Sequence, residues 1–136
     1  MDDTGLATEY GLDPRPLADA PPGPVTVVNL FKLRDVASYP AGSTREGSSG
    51  LEAMLEYAAV SGARLAAVGG RFLSQGLMVG SLWGGDGVDW DLVVVAEYPS
   101  ADAVRSLLAD AAYREAYEHR RAAVEQQRVI VSTQLG

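Results

Sequence analysis

Four β-rich apolar runs and two helical patterns follow one another in a single order along this chain, and that order admits few folds. Residues 24–33, PVTVVNLFKL, form the first run, and a loop rich in Gly, Ser and Pro follows it. From Gly50 to about Val68, Leu51, Met54, Leu55, Ala58, Gly62 and Leu65 recur at helical spacing. Ser49 stands three residues before Glu52, the pattern of a capping box, and glycines at 69 and 70 predict the stop. Residues 71–83 read as a strand interrupted by Gly76 and Gly80, and GGDGVD supplies the reversal into WDLVVVAEYP. Pro99 ends that strand, and Ser100 can cap a helix running to about Gln127 with a bend near Asp110. RVIVSTQLG closes the chain as the last strand. Strand, helix, strand, strand, helix, strand is a duplicated split β-α-β, so an α+β ferredoxin-like fold with an antiparallel sheet is predicted.

Residues 1–23 contain prolines, glycines and acidic residues without helical or alternating periodicity. They read as an N-terminal arm, mobile or packed on a partner subunit, ahead of a domain spanning 24–136. At 136 residues one domain is expected. A net charge of −7 argues against nucleic acid or an anionic membrane surface, since both need a concentrated basic face. No run approaches the length of a membrane span and no signal peptide is evident, so a cytoplasmic location is expected.

With no cysteine and one histidine, the chain cannot make a typical zinc or mononuclear iron site, and neither metal nor cofactor is expected. GSSG ahead of a helix lacks both the dinucleotide fingerprint and the Walker lysine, and no serine stands in a GxSxG elbow.

The stretch YREAYEHRRAAV, 113–124, is the most informative. With Tyr113 at zero on a helical wheel, Tyr117 falls at about 40° and Arg120 at about 340°, while His119 falls at about 240°. Arg120 therefore sits in the middle of the apolar face, and His119 lies at its edge. A guanidinium aimed at a core must meet a carboxylate, carbonyls or an anionic ligand. Glu97 and Asp91, which share a face of the neighbouring strand, are its candidate structural partners; a ligand is the other reading. His119 is either a helix-boundary residue or a proton carrier. Asn29 shares a face with Val25, Val27, Phe31 and Leu33, so its amide must be satisfied by backbone or by a ligand. Tyr39, Tyr57, Trp83, Trp90 and Tyr98 are either core aromatics or the lining of a cavity, and Tyr117 belongs beside Arg120.

VVNLFKLRDVASYP at 27–40, SGLEAMLEYA at 49–58, GGRFL at 69–73, WDLVVVAEYPS at 90–100 and YREAYEHRRAAVEQQRVI at 113–130 together resemble the DUF1330 family. The likeness spans roughly residues 25–133. It implies a dimeric α+β barrel, in which each ferredoxin-like sheet carries helices on one face and meets its mate with the other. Asn29, Tyr39, Tyr57, Arg71, Trp90, Tyr113, His119 and Arg120 stand at matching positions. Leu51 and Met54 replace the Arg and Tyr often found in relatives, which makes the pocket expected here more apolar.

The wider superfamily includes cofactor-independent monooxygenases, isomerases, cyclases and lyases acting on small organic or polyketide-like molecules. By that analogy the chain is expected to be a homodimer that binds a small organic molecule. Asn29, His119 and Arg120 are its candidate catalytic groups, with Tyr39, Tyr57, Trp90, Glu97 and Tyr117 contacting substrate. The competing expectation is a non-catalytic dimeric module in which Arg120, Glu97 and Asn29 form only a buried polar network.

Overall fold

The structure is a computed structural model that describes residues 1–135. Four strands form one antiparallel sheet: β1 Val25–Leu33, β2 Arg71–Leu77, β3 Leu92–Tyr98 and β4 Val124–Thr133, in the order β2-β3-β1-β4. Together with α3 Gly50–Ala67 and the consecutive helices α4 Ala101–Ala109 and α5 Ala111–Ala123, they make the ferredoxin-like plan. Two further helices, α1 Asp3–Tyr10 and α2 Arg15–Asp19, precede it.

Alternation along the strands sorts their side chains between the two faces. Val25, Val27, Asn29 and Phe31 of β1 share the helix-side face with Leu92, Val94, Ala96 and Tyr98 of β3. The opposite face carries Val28, Leu30, Val93, Val95 and Ile130, together with Arg71 and Glu97. Among the described residues no helix covers that second face.

Helix α3 starts as its sequence pattern requires, with Ser49 Oγ accepting from the Glu52 amide and Glu52 accepting from the Ser49 amide. The Gly50 amide donates to Arg34 O at 3.1 Å, so backbone occupies this helix start and no phosphate cradle forms.

The predicted long helix is two helices. Asp110, extended at φ −66° and ψ 130°, ends α4 and caps α5 by accepting from the Tyr113 amide at 2.9 Å. Its carboxylate also receives Arg64 at 2.7 Å. The sequence reading carried the helix on to Gln127, but α5 stops at Ala123 and β4 begins at Val124. Gln127, Val129 and Val131 share the cavity-side face at period two, and pairing with β1 overrides helix propensity at the start of the strand. Gly136, the last residue assigned to that strand, lies outside the described residues. The strand before the hairpin is also shorter than expected, ending at Leu77 rather than 83.

Arg64 and the Tyr113 amide hold the Asp110 carboxyl below the usual carboxylate range. The stabilisation is therefore present above the unfolded carboxyl's pKa, about 4, and is lost as pH falls through the lower folded value. Asp110→Ala is expected to lower the thermal midpoint by a few degrees at neutral pH. In acid-titrated melts the gap between variant and parent should close below about pH 4; a gap constant with pH would rule out the charge as its source.

The first 23 residues depart most from their sequence pattern. Asp2 caps α1, Gly11 ends it with φ 68°, and α1 and α2 both pack on α4 of the same chain. Leu6 is fully buried and Leu17 is 6% exposed. Tyr10 Oη donates to Leu108 O at 2.5 Å, Arg121 donates to Glu9 O at 2.6 Å, and Asp3 receives Arg105 at 2.8 Å. The N-terminal segment thus packs on its own chain, with two short helices where no periodicity was expected.

Candidate functional site

Two clusters of buried residues flank the middle of the molecule. One gathers Val25, Val27, Ala96, Tyr98, Val104, Leu107, Tyr113 and Tyr117; the other gathers Phe31, Ala53, Met54, Ala122 and Ala123. Tyr57 packs against both. Between helices and sheet lies a cavity of about 780 Å³, within the range of small-molecule sites. Its walls are mostly aliphatic and aromatic. Leu51 and Leu55 of α3 and Phe72 and Leu77 of β2 line it and are themselves partly open to solvent, which places a mouth between α3 and the β2 edge.

Arg120 enters the cavity from α5. The residue is 8% exposed, and its guanidinium stacks over Phe31 at 4.7 Å, Tyr117 at 5.0 Å and Tyr57 at 5.5 Å. Nε and Nη2 donate to Gln127 Oε1 at 3.1 and 2.7 Å, and Nη1 donates to Tyr57 Oη at 3.1 Å. None of these acceptors is a carboxylate. Burial works to lower the Arg120 pKa, but a guanidinium does not give up its proton in a folded protein. Arg120 therefore stays charged.

Around it the tyrosines form a chain. Tyr57 Oη lies 2.8 Å from Tyr113 Oη, and Gln127 Nε2 donates to Tyr117 Oη at 3.4 Å. Tyr10 from α1 meets Tyr117 edge-on at 4.8 Å. Burial pushes the phenol of Tyr10 up to about 12, and it raises Tyr98 and Tyr113 too, so these three are neutral at physiological pH. On the sheet, Asn29 Nδ2 donates to Val94 O at 3.1 Å while its side chain lines the cavity.

Of the residues singled out by sequence, Asn29, Tyr57, Tyr98, Tyr113, Tyr117 and Arg120 come together on this cavity. The others stand apart. His119 turns away from the cavity and its Nδ1 pairs with Tyr39 Oη at 2.6 Å, so these two satisfy each other. Trp90 donates to Asp86 at 3.0 Å on the hairpin loop. Glu97 cannot serve as the Arg120 partner, because it lies on the sheet face away from the helices and receives Arg71 at 3.0 Å. Asp91 shares its parity and accepts from the Leu33 amide at 2.7 Å. The carboxylate partner expected for Arg120 is thus replaced by Gln127 and Tyr57.

Gln127, Tyr10 and Gln75 also line the cavity and were missed. Gln127 was placed in a helix; as a strand residue it stands opposite Phe31. The period-two series Gln127, Val129, Val131 carried that signal. Among the described residues no cluster of three or more His, Asp or Glu side chains could hold a metal ion, and no helix is long and apolar enough to cross a membrane.

Fold and site together define a ferredoxin-like α+β protein with its cavity between helices and sheet. The family model "Domain of unknown function (DUF1330)" matches residues 49–134, and the chain belongs to that family. A protein of unknown function from Rhodopseudomonas palustris is 37% identical, with a TM-score of 0.80 and 90% of each chain covered. SnoaB from Streptomyces nogalater, a cofactor-independent oxygenase, is 20% identical with a TM-score of 0.54, over 84% of this chain and 95% of its own. A dimeric ferredoxin-like protein of unknown function from Bacteroides fragilis is 18% identical with a TM-score of 0.50, over 80% and 94%. The last two show the fold alone. No curated protein matches the chain.

Proposed function

We propose that this protein binds a small organic molecule in the cavity between helices and sheet and acts on it as a cofactor-independent enzyme of the isomerase, cyclase, lyase or monooxygenase type. The observation that carries this is Arg120, a buried cation on the wall of an apolar cavity of about 780 Å³, with no carboxylate of the described residues against it. Such a group can draw electron density onto a carbonyl oxygen and stabilise the oxyanion that forms. Tyr57, bonded to both Arg120 and Tyr113, is the group placed to donate a proton to that oxygen. Asn29 orients the substrate from the sheet side. SnoaB shows that a fold of this kind can house chemistry without a cofactor.

The protein acts as a homodimer in this reading. The uncovered sheet face with Val28, Leu30, Val93, Val95 and Ile130 is the contact surface, as the dimeric Bacteroides fragilis protein suggests.

A non-catalytic binding module is the second reading. It is favoured by the neutral groups that already meet Arg120 and by the Asn29 bond to Val94 O. Mass spectrometry of small molecules extracted from purified protein, beside Arg120→Ala, tests both. A retained molecule that falls at least about 10-fold in the variant supports the site. An unchanged profile removes it, and a molecule held without turnover favours the module. Sedimentation of the same preparation should give twice 14.3 kDa.

A further inference from the structure

We propose that the ligand of this cavity is an organic monoanion, an apolar body bearing one carboxylate that Arg120 receives. This rests on the cavity being a binding site, and three observations narrow the ligand class.

First, the guanidinium is left with donors to spare. An arginine carries five N–H groups. Three donate to Gln127 Oε1 and Tyr57 Oη, which leaves one on Nη1 and one on Nη2, the two terminal nitrogens that a carboxylate engages as a pair.

Second, among the described residues the wall supplies no free negative charge to balance Arg120. Asp13 is the one carboxylate among the described residues that line the cavity, and Arg15 grips both of its oxygens at the arm. Tyr98 and Tyr113 remain neutral because burial raises them. A cation held away from water without a counterion is costly, and a ligand that brings one charge relieves that cost.

Third, Arg120 is the one cationic side chain among the described residues of the wall, and most of the wall is apolar. A phosphate monoester, with close to two charges at neutral pH, would leave one unmatched. The protein's own charge of −7 further disfavours multiply charged anions. Leu51, Met54, Leu65, Leu92 and Val104 suit an aliphatic or aromatic body.

The test uses the native chain with matched pairs, decanoate against decanamide and naphthoate against naphthamide, measured by calorimetry at neutral pH. Each acid should bind about 10- to 100-fold more tightly than its amide, the span of a charge-assisted hydrogen-bond pair. Methionine methyl labelling should show Met54 shifting on binding, with Met1 and Met78 silent, because only Met54 lines the cavity. Arg120→Met should weaken the acids to the level of the amides. Since the acid-to-amide ratio is read on the native chain, a misfolded variant does not blunt the result. Equal affinities with a Met54 shift would overturn the monoanion and leave the cavity reading intact. No binding by any of the four, or binding that leaves Met54 unmoved, would overturn both.

Discussion

Leu6→Ala is expected to destabilise the protein by about 2–5 kcal/mol, the cost of deleting a buried leucine side chain. That is a large part of the roughly 5–15 kcal/mol available to a domain of this kind. Leu6 has no exposed surface and sits in α1, which packs on α4, although the family match begins only at residue 49. Denaturant melts monitored by far-ultraviolet circular dichroism would measure the loss. A change below about 0.5 kcal/mol, the scale of an ordinary surface substitution, would mean that the arm does not share the fold's cooperativity. The substitution should reach the site as well. Tyr10, Leu12 and Leu17 line the cavity, and Tyr10 is latched to the Leu108 carbonyl. Loosening α1 therefore opens one wall, and limited proteolysis within residues 11–15 should accelerate in step with the fall in stability.

Gly50→Ala should be nearly as damaging, by overpacking. A Cβ at Gly50 would stand 2.0 Å from Arg34 O and 2.9 Å from Arg34 N, and both are backbone atoms that no rotamer change can move. The N-terminus of α3 would have to lift from the chain leaving β1, at a cost of about 1–3 kcal/mol or more. Leu51, Met54 and Tyr57 ride on that helix, so ligand affinity should fall together with stability. Gly80→Ala is the control, because nothing lies within 4 Å of its Cβ position. Equal melting temperatures for the two variants would show that α3 does not start in contact with Arg34.

Short-range patterns made much of this legible. The capping box at Ser49 and Glu52, the inward angle of Arg120 and the helix-side position of Asn29 each depend on residues only a few places apart. Tyr57, Tyr117 and Arg120 were candidates for the same reason: a helical wheel assigns a face without knowing what faces it. The partners were not legible. Glu97 and Arg120 both looked like buried charges needing each other, yet strand parity sends Glu97 to the far side of the sheet, where Arg71 receives it. His119, a candidate proton carrier, stands outside the cavity lining, where the loop after β1 brings Tyr39 onto it.

The order of strands and helices, the capping of α3 and the direction in which Arg120 points follow from local periodicity, which the chain carries in consecutive residues. Tertiary structure alone decided that a cavity exists, that Gln127 and Tyr57 rather than a carboxylate meet the cation, and that the first 23 residues form helices closing one wall. Those outcomes depend on contacts between segments distant in sequence. The weak helical tendency of residues 3–10 settles into α1 because α4 and Leu108 offer Leu6 and Tyr10 a place to be buried.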